Sequence, residues 1–375
     1  MNIDKQRLKM FVQGCMKSCR LLVVGDVMLD KYYYGEVSRI SPEAPVPVNR
    51  VVDIKETMGG AANVAHNLSL LGVQTAISGF VGNDYHCQSL MDKFTEKGID
   101  YRGIIYCDKP TIAKARIIGG HQQMLRLDFE DTEPVDEVYS QRMINYVEQC
   151  INTMDGVIIS DYGKGVCTEE VCTSIIEMCN SINVPVFVDP KGVEWDKYCN
   201  ADFITPNFKE TNAIQPKPIK NKDPQIERAA EYIMHKYAIN NVLATRSECG
   251  LSFINKEERI HIPTRAQEVF DVSGAGDTVL AVFAAGVVGG LSFSEAAYLS
   301  NVAAGVVVGK LGTYAISKEE LLEALWDQSD FVDDNTLTVN ITRLRNKLGE
   351  LGLENTIKTK RGVGYWLEIK EGEKE

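Results

Sequence analysis

A run of seven residues carries the clearest chemical signal in this 375-residue sequence. The run, DVSGAGD at 271–277, precedes an apolar stretch that predicts a helix from about residue 278 to 288. Its small residues at 273–276 let backbone approach an anion, and a helix start adds unpaired N–H groups and the positive end of a dipole. An acid beside such a pocket, here Asp277, can take a proton from a hydroxyl that attacks phosphorus. The run could instead be a plain strand-to-helix turn. No GxxxxGK[ST] pattern occurs, which excludes a P-loop enzyme.

A second glycine motif, MGGAANVA at 58–65, predicts a ligand-facing helix start. The paired glycines Gly59 and Gly60 permit close contact with a ligand, and the Asn63 amide offers both a donor and an acceptor. Asp26 and Asp30, at the edge of an earlier apolar run, suit bidentate binding of sugar hydroxyls. Tight helix packing would explain the small residues equally well, and Asp30 could cap a helix or turn.

The elements that must position these residues alternate along the chain. Short β-branched runs at 21–26, 156–161, 184–189, 203–205 and 242–245 predict strands, with helix-length segments such as 62–71, 136–152 and 168–181 between them. This alternation predicts an α/β fold with a mainly parallel sheet and helices on both faces. Ligands bind beyond the carboxyl ends of such strands, where Asp26, Asp161 and Asp189 fall. Two stretches with period-two alternation, 31–55 and 111–128, predict a small β-sheet lid.

Composition favours an ordinary globular protein of the cytoplasm. Forty basic and 52 acidic residues give a net charge of −12, so the surface as a whole is a poor polyanion binder. No apolar run reaches the ~18 residues of a membrane span, and the charged first twenty residues do not resemble a secretion signal. Ten cysteines without paired CxxC spacing predict free thiols in a reducing compartment.

The order and separation of the two glycine motifs make residues 20–316 closely similar to the ribokinase-like (PfkB) sugar kinases. GGAANVA matches the first signature of that family, and DVSGAGD its second, which is usually DTTGAGD. Within the family, GDVMLDKYYYGEVSRISPEAPVPV, GGHQQMLRLDFE, SDYGKG and DPKG resemble heptose-7-phosphate kinases. The resemblance implies ATP-dependent phosphorylation of D-glycero-β-D-manno-heptose 7-phosphate at the anomeric hydroxyl, giving the 1,7-bisphosphate on the route to ADP-heptose. Another PfkB sugar or sugar-phosphate kinase is the neighbouring alternative.

The resemblance also implies roles for single residues. Asp277 would be the catalytic base, and Gly274, Ala275 and Gly276 would form the anion hole for the γ-phosphoryl group of ATP. Asn207 and Glu210 match the family's Asn-x-x-Glu element, which organises Mg²⁺, through water, and the phosphates. The same pair could be a helix N-cap with an acidic first turn. The other residues implied on the ATP side are Lys191, Thr245, Arg246, Gly250 and Asn301. A packing helix would explain Asn301 equally well.

The 7-phosphate of the implied sugar needs positive charge or N–H donors in its own part of the site. A 7-phosphate carries close to two negative charges, so its pocket should offer cations or N–H groups. The candidates, all in segments similar to heptose kinases, are Lys114, Arg116, Arg126 and Lys164. Lys164 lies between two glycines after a predicted strand, which favours a ligand-facing role, whereas Arg116 could equally be a solvated lid charge.

Assembly and further chemistry are also implied by the resemblance. The lid of the family implies a homodimer, with Val46, Val48, Val51 and Ile54 on the contact side. A monovalent cation is a further candidate, with Asp271 as a contributor. Bifunctional relatives carry a nucleotidyltransferase domain with a Gly-x-Phe-Asp…His-x-x-His motif. Nothing in this sequence resembles that motif, so adenylylation of the product is expected to need another protein.

The last fifty residues differ in character. Residues 336–370 carry seven basic and three acidic side chains, a net charge of +4. Residues 322–369 resemble the second half of the winged-helix domain of OmpR/PhoB-type response regulators. This implies a recognition helix at 337–348 and a wing hairpin at 356–369. In those proteins the side chains toward DNA would be Asn340, Arg343, Lys347, Lys360 and Arg361.

The first half of that domain has no counterpart here, and about 48 residues bury too little surface for an independent domain. We therefore predict three regions: an N-terminal helical extension at 1–19, a sugar kinase domain at 20–318 and a partial winged-helix-like fragment at 319–375. We expect no useful affinity for nucleic acid, and no membrane association. A DNA-binding regulator with a kinase-derived sensor is the alternative of a different class.

Overall fold

The computed structural model describes residues 3–120, 122–264 and 269–326, together with 341, 344, 345, 348, 356–360 and 364–367. Its helices are α1 (Lys5–Gln13), α2 (Ala61–Leu70), α3 (Tyr85–Lys97), α4 (Glu137–Cys150), α5 (Glu169–Ser181), α6 (Phe208–Ala213), α7 (Asp223–Tyr237), α8 (Ala275–Val288), α9 (Phe293–Val307) and α10 (Lys318–Trp326). Its strands are β1 (Arg20–Gly25), β2 (Val27–Ile40), β3 (Pro47–Gly60), β4 (Gln74–Val81), β5 (Asp100–Tyr106), β6 (Ile112–Gly119), β7 (Gln122–Phe129), β8 (Gly156–Ser160), β9 (Val186–Asp189), β10 (Phe203–Ile204), β11 (Asn241–Thr245), β12 (Leu251–Ile254), β13 (Arg259–Ile262), β14 (Ile357–Lys360) and β15 (Gly364–Leu367).

A nine-stranded sheet runs in the order β13-β12-β11-β10-β9-β8-β1-β4-β5. The strands from β11 to β5 pair in parallel, and β12 and β13 add an antiparallel edge. The strand order reverses between β1 and β8, and a crevice forms beyond the carboxyl ends of strands at such a point. Asp26 and Asp161 directly follow these two strands. The sequence predicted both acids at this edge.

Alternating strand residues face two helical layers. Leu22 and Val24 of β1 join one buried cluster with Met143 of α4, Ile175 of α5 and Ile233 of α7. Against the other face, α2 contacts β1 and β4, and α8 contacts β8 and β9. The predicted α/β class, with a mainly parallel sheet covered on both faces, is confirmed.

A separate four-stranded sheet, in the order β3-β2-β6-β7, forms the lid. Strands β2 and β3 pair antiparallel from Val27 opposite Gly60 to Ile40 opposite Pro47, and β6 lies parallel to β2. Both stretches predicted for the lid therefore form strands, and the first pair extends beyond the predicted bounds of 31–55. Because β2 begins just after β1, the lid is continuous with the crevice.

The N-terminal helix α1 packs on the turn between α8 and α9. Asp4 caps it by accepting a hydrogen bond from the backbone of Arg7 at 3.0 Å. Phe11 fills the space beside Gly289, where a Cβ would lie 2.3 Å from the ring. The Arg7 guanidinium donates to the carbonyl of Gly290 at 3.0 Å. The helix predicted for the N-terminal extension is thus present.

The chain divides into two compact units, Met1–Ala324 and Leu325–Glu375. Within the second unit, β14 and β15 pair as an antiparallel hairpin, with Ile357 opposite Leu367. The two strands expected for the wing are therefore present, and Lys360 ends the first of them. The other residues expected to face DNA, Asn340, Arg343, Lys347 and Arg361, lie outside the described residues, as does most of the expected recognition helix.

Candidate active site

Asp277 lies in the first turn of α8. The N-cap residue Gly274 has φ 80° and ψ −1°, a left-handed conformation that glycine adopts without strain. The helix therefore begins at Ala275, three residues before the predicted start, and Asp277 is 2% exposed. A carboxylate at this position is stabilised by the positive end of the helix dipole. Asp277 is thus a buried acid beside a helix start that can bind an anion.

Two side chains hold the carboxylate of Asp277. The Nδ2 of Asn63 donates to Oδ2 at 2.7 Å, and the hydroxyl of Tyr162 donates to Oδ1 at 2.6 Å. Burial raises the pKa of Asp277 to about 6, the two hydrogen bonds oppose the rise, and the charge of Asp30 adds to it. The carboxylate is therefore mostly ionised at pH 7 and remains basic enough to accept a proton.

Asp30 accepts hydrogen bonds from side chains in two other parts of the chain. The Arg116 guanidinium donates to its Oδ1 at 2.6 Å, and the Thr313 hydroxyl donates to its Oδ2 at 2.7 Å. A Cβ at Gly59 would lie 2.7 Å from that same Oδ2. Gly59 therefore makes room for a carboxylate of the neighbouring strand. Arg116 is partly buried and is paired with Asp30 in this structure.

Gly60 makes a similar close approach possible. It ends β3 with φ 55°, and a Cβ there would lie 2.5 Å from the carbonyl oxygen of Asp26. The two glycines of the first motif thus let the start of α2 pack against the crevice edge. This packing brings Asn63, in the first turn of α2, to Asp277.

Asp26 is fully buried and binds the loop that follows β8. Its carboxylate accepts hydrogen bonds from the backbone N–H groups of Tyr162, Lys164 and Val166 at 2.7, 3.1 and 3.2 Å. Burial and the charge of Asp161 raise the pKa of Asp26 to about 6, against the effect of these three bonds. The sequence suggested that Asp26 binds sugar hydroxyls. In this structure its carboxylate has no exposed surface and positions the loop, and its contact with sugar stays a prediction.

The candidate cations lie near the face of the lid that carries Asp30. In the register of the lid, Lys114 lies opposite both Asp30 and Asp128, and Arg116 opposite Arg126. Directly opposite residues share a face, as do residues two apart in one strand. Arg126 is half exposed and bound to Asp128 by two hydrogen bonds of 2.8 Å. The charge of Arg126 is therefore neutralised by Asp128 of the same strand.

Lys164 reaches the same region from the loop after β8. Its Nζ lies 2.7 Å from Oε1 of Glu130, which directly follows β7, and both side chains are largely buried. Burial and the charge of Lys164 lower the pKa of Lys114, although Asp30, Glu130 and Asp128 oppose this. A bound phosphate would stabilise the charged form of Lys114.

On the other side of the crevice, Asn207 and Glu210 form a reciprocal capping box at the start of α6. The backbone N–H of Asn207 donates to Oε2 of Glu210 at 2.9 Å, and the N–H of Glu210 donates to Oδ1 of Asn207 at 3.0 Å. The helix N-cap, which the sequence offered as the alternative for this pair, is thus present. The second oxygen of Glu210, Oε1, lies 3.6 Å from the ammonium of Lys191.

Arg246 is held by three neighbouring side chains. It is 2% exposed, and it donates to Asp223 at 2.6 Å, to Asn221 at 2.8 Å and to Ser252 at 2.9 Å. Its Nε and one terminal nitrogen therefore bind neighbouring elements, and its expected contact with ATP stays a prediction. It lines a cleft of about 580 Å³ whose other walls are Asn221, Lys222, Asp223, Pro224, Cys249, His261 and Pro263.

Three other residues expected on the ATP side lie near this cleft. Gly250, with φ 81°, adopts a conformation that would strain other residues. The backbone N–H of Thr245 donates to Pro206 at 2.9 Å, which joins β11 to the segment before α6. The Asn301 amide donates to the carbonyl of Pro263 at 2.9 Å. The loops beyond β10, β11 and β13 are thus held together.

The residues at the start of α8 fit an anion, and Asp189 with Glu210 could supply part of the ligands of a Mg²⁺ ion. A Cβ on Gly276 would meet no atom of the described residues within 4 Å, so its backbone borders open space. The N–H of Ala275, expected in the anion hole, donates to Val272 at 3.2 Å in this structure. Burial and the charges of Asp277 and Glu210 raise the pKa of Asp189 well above its usual range. Clustered carboxylate oxygens are the ligands that Mg²⁺ prefers. In the described parts of the chain, no three acidic, histidine or cysteine side chains could hold a metal by themselves.

Sequence reasoning missed three residues that contact the site. Tyr162 lies inside the SDYGKG segment, which was recognised for its lysine, and Glu130 ends the LRLDFE segment. Both could have been suspected because they adjoin residues already singled out. Thr313 gave no signal, because it lies in a loop beyond α9 and reaches Asp30 only through the fold.

A parallel sheet, a strand lid and a buried acid behind a glycine-rich helix start together define the ribokinase-like class of carbohydrate kinases. The family model described as "pfkB family carbohydrate kinase" matches residues 19–320, and the chain belongs to this family. A second model, "Transcriptional regulatory protein, C terminal", matches residues 313–367. None of the helices in the described ranges combines the length and apolar content that a bilayer crossing needs.

The curated relatives are longer than this chain. A "Bifunctional protein HldE" from Trichlorobacter lovleyi is 44% identical over 326 residues, which cover 86% of this chain and 66% of the relative. The protein of that name from Haemophilus influenzae is 43% identical, with 82% and 64% covered. The chain thus spans slightly less than two thirds of the length of these relatives.

Solved structures share the fold at low sequence identity. Phosphofructokinase-2 from Escherichia coli, in complex with potassium, has a TM-score of 0.68 and 16% identity, with 82% of this chain and 98% of that one covered. Arabidopsis thaliana ribokinase, complexed with ribose and ATP, has a TM-score of 0.64 and 20% identity, with 84% and 99% covered. These likenesses support the ribokinase-like fold.

Proposed function

We propose that this chain transfers the γ-phosphoryl group of ATP to the anomeric hydroxyl of D-glycero-β-D-manno-heptose 7-phosphate. The observation that carries the proposal is the buried Asp277 carboxylate, held between Asn63 and Tyr162 at the start of α8. The segments that resemble heptose-7-phosphate kinases support the choice of sugar, as does the 44% identity with a bifunctional HldE protein. The product would be the 1,7-bisphosphate.

Asp277 acts as the base in this proposal. A hydroxyl that attacks phosphorus becomes more acidic as the bond forms, and a neighbouring carboxylate takes its proton. With a pKa of about 6, Asp277 is ionised at neutral pH and is a stronger base than an ordinary aspartate. The first-turn N–H groups of α8, beside Gly276, stabilise the negative charge of the transferred group.

The ATP side depends on carboxylates and backbone. Asp189 and Glu210 would hold Mg²⁺ together with water and the phosphates, and the ion would supply neutralisation of phosphate charge. Asn207 fixes the backbone of Glu210 through the capping box, so that Oε1 of Glu210 is left for the ion or for Lys191. Thr245, Gly250 and Asn301 border the region proposed for the nucleoside.

The distal phosphate of the sugar binds Lys164 and Lys114 in this proposal. Lys164 is paired with Glu130, and the charges of Glu130 and Asp30 act on Lys114. Lys164 is also fixed through its own backbone to Asp26. Arg126 and Arg116 lie on the same face of the lid, each paired with a carboxylate as Lys164 is, and would add donors for the phosphate. The ten free cysteines agree with a reducing cytoplasm. ATP would be the phosphoryl donor.

The deciding experiment is ATP turnover by the purified chain against a panel of sugars. The panel contains the heptose 7-phosphate, the unphosphorylated heptose, ribose, fructose 6-phosphate and fructose 1-phosphate, each with Mg²⁺. We expect kcat/KM for the heptose 7-phosphate to exceed that for the unphosphorylated heptose by at least about 100-fold, since a bound phosphate makes charge-assisted hydrogen bonds. It should also exceed kcat/KM for ribose and for both fructose phosphates. Comparable turnover of another sugar would replace the substrate, and no turnover of any sugar would refute the kinase assignment.

The match of residues 313–367 to a transcriptional regulator favours testing a second candidate, DNA binding. Fluorescence anisotropy with duplex DNA would measure it in the full chain at two salt concentrations. Specific, submicromolar binding that weakens steeply with salt would establish this function. We expect only weak binding, because the chain carries a net charge of −12.

A further inference from the structure

Tyr162 is fixed at both its backbone and its side chain. It belongs to the loop between β8 and α5, and its backbone N–H donates to Asp26 at 2.7 Å. Its hydroxyl donates to Asp277 at 2.6 Å. One residue thus joins the loop of Lys164 to the proposed base.

The loop itself is held rigidly. Asp161, the residue before Tyr162, accepts hydrogen bonds of 2.5 Å from the Lys197 ammonium and the Tyr198 hydroxyl. It also accepts one of 2.6 Å from the backbone of Gly163. Gly163 and Gly165 both have positive φ, at 66° and 94°. The position of the Tyr162 ring is therefore determined by the loop rather than by Asp277 alone.

The phenol can only donate to the base. Burial, and then the charge of Asp277, raise the pKa of Tyr162 well above its usual range, with Asp189 and Asp30 acting in the same direction. It therefore stays protonated. A carboxylate has about four lone-pair directions, and Tyr162 and Asn63 occupy one on each oxygen of Asp277. A direction on each oxygen remains for the sugar hydroxyl.

We propose that Tyr162 is a positioning residue for the base, which fixes the plane of the Asp277 carboxylate, stabilises its ionised form and joins it to the loop of Lys164. This inference rests on the proposed function and adds a residue to it. Among the described residues, the charged groups that act on the pair are Asp30 from β2 and Asp189 from β9, both acidic. In their presence a neutral donor lowers the proton affinity of Asp277 without introducing a charge.

The test is the pH profile of kcat/KM for Tyr162→Phe beside that of the wild type. The variant loses one donor to the ionised base. The acidic limb of its profile, where kcat/KM falls as the base is protonated, should therefore lie about one pH unit higher. The ionisation of the substrate phosphate affects both proteins equally and cancels in the comparison. Incorporation of 3-fluorotyrosine at position 162 keeps the ring and makes the phenol a stronger donor, so its acidic limb should lie lower than that of the wild type.

Tyr198→Phe is the matched control, because it also removes a buried phenol that binds an aspartate of the same loop, but not Asp277. Its acidic limb should coincide with that of the wild type. Coincident limbs for Tyr162→Phe, fluorotyrosine and wild-type proteins would overturn the inference, even if turnover fell. A shift of equal size in Tyr198→Phe would also overturn it, since the effect would then belong to the loop.

A second measurement separates this inference from the proposed function. Titration of protein labelled with ¹³C at aspartate carboxyl groups follows the Asp277 resonance, which is assigned by its loss in Asp277→Asn. The resonance should titrate at higher pH in Tyr162→Phe, whether or not any sugar is turned over. An unchanged titration would refute the role of Tyr162, whereas a shifted titration without sugar kinase activity would refute only the proposed function.

Discussion

Asn63 donates a 2.7 Å hydrogen bond to Asp277, although the two residues are 214 positions apart in the chain. Asn63 belongs to the first glycine motif and Asp277 ends the second. Each motif starts a helix, and α2 and α8 pack against each other. The bond means that the two motifs form one site, in which the sugar-side helix fixes the orientation of the proposed base.

Replacement of Asp277 by asparagine should abolish most turnover. The variant keeps nearly the same shape but cannot accept the proton of the sugar hydroxyl, so kcat should fall by roughly 10²–10⁴-fold. Calorimetric affinities for ATP and for the sugar phosphate should change only a few-fold. Asp131→Asn, which removes a carboxylate in a surface ion pair with Lys109, is the control and should retain full activity. Unchanged turnover in Asp277→Asn would mean that another group is the base.

The activity should depend on the ionisation of Asp277. Because the base must be deprotonated and burial raises its pKa to about 6, kcat/KM should fall about tenfold per pH unit below that value. The second ionisation of the sugar phosphate occurs near the same pH, so it should be measured separately by ³¹P NMR and divided out. A corrected limb near pH 4 would contradict the burial described for Asp277.

The same burial should lower stability at neutral pH. The folded-state pKa of Asp277 lies above its unfolded value of 3.8, so its favourable contribution is complete below pH 3.8 and is lost as the pH rises through about 6. Asp277→Asn lacks this loss. Its free energy of unfolding, minus that of the wild type, should therefore increase by on the order of 2 kcal/mol between pH 4 and pH 7. Urea unfolding at several pH values measures the difference, and a flat or falling difference would be inconsistent with it.

Lys164 should recognise the phosphate rather than the sugar ring. Lys164→Gln removes the charge, so KM for the heptose 7-phosphate should rise by about 10-fold or more, whereas KM for the unphosphorylated heptose should hardly change. Lys97→Gln, which removes a surface ammonium paired with Glu96, is the control. An equal rise in KM for both sugars would show that Lys164 supports the loop and not the phosphate.

The lid should mediate self-association. Val46, Val51 and Ile54 are exposed on or beside β3, and the exposed apolar side chains of β7 extend this surface. Exposed apolar surface of this extent favours a partner, and we expect a second copy of the chain. Ile54→Asp should convert a dimer into a monomer in sedimentation velocity, with unchanged thermal stability of the kinase unit. Ile182→Asp, at an exposed apolar residue after α5, should leave the dimer intact.

Much of the fold could be predicted because its signals are local. The runs that became β1, β8 and β11 are short and β-branched, and their alternation with helices is sufficient for a parallel sheet. The DVSGAGD run predicted the position of Asp277 for a similar reason, since glycine and a helix start act through the backbone. The hydrogen-bond partners of Asp26 and Arg246 could not be predicted. Whether a charged side chain meets a ligand or its own chain depends on which loops the fold brings alongside it.

The ion pair between Glu130 and Lys164 connects the end of lid strand β7 to the loop bound by Asp26. Raising the lid must separate these two charges or pull the loop away from the sheet. In the proposed reaction, release of the bisphosphate product would therefore require this ion pair to break. Salt screens the attraction between Glu130 and Lys164 only partly, because both side chains are largely shielded from solvent.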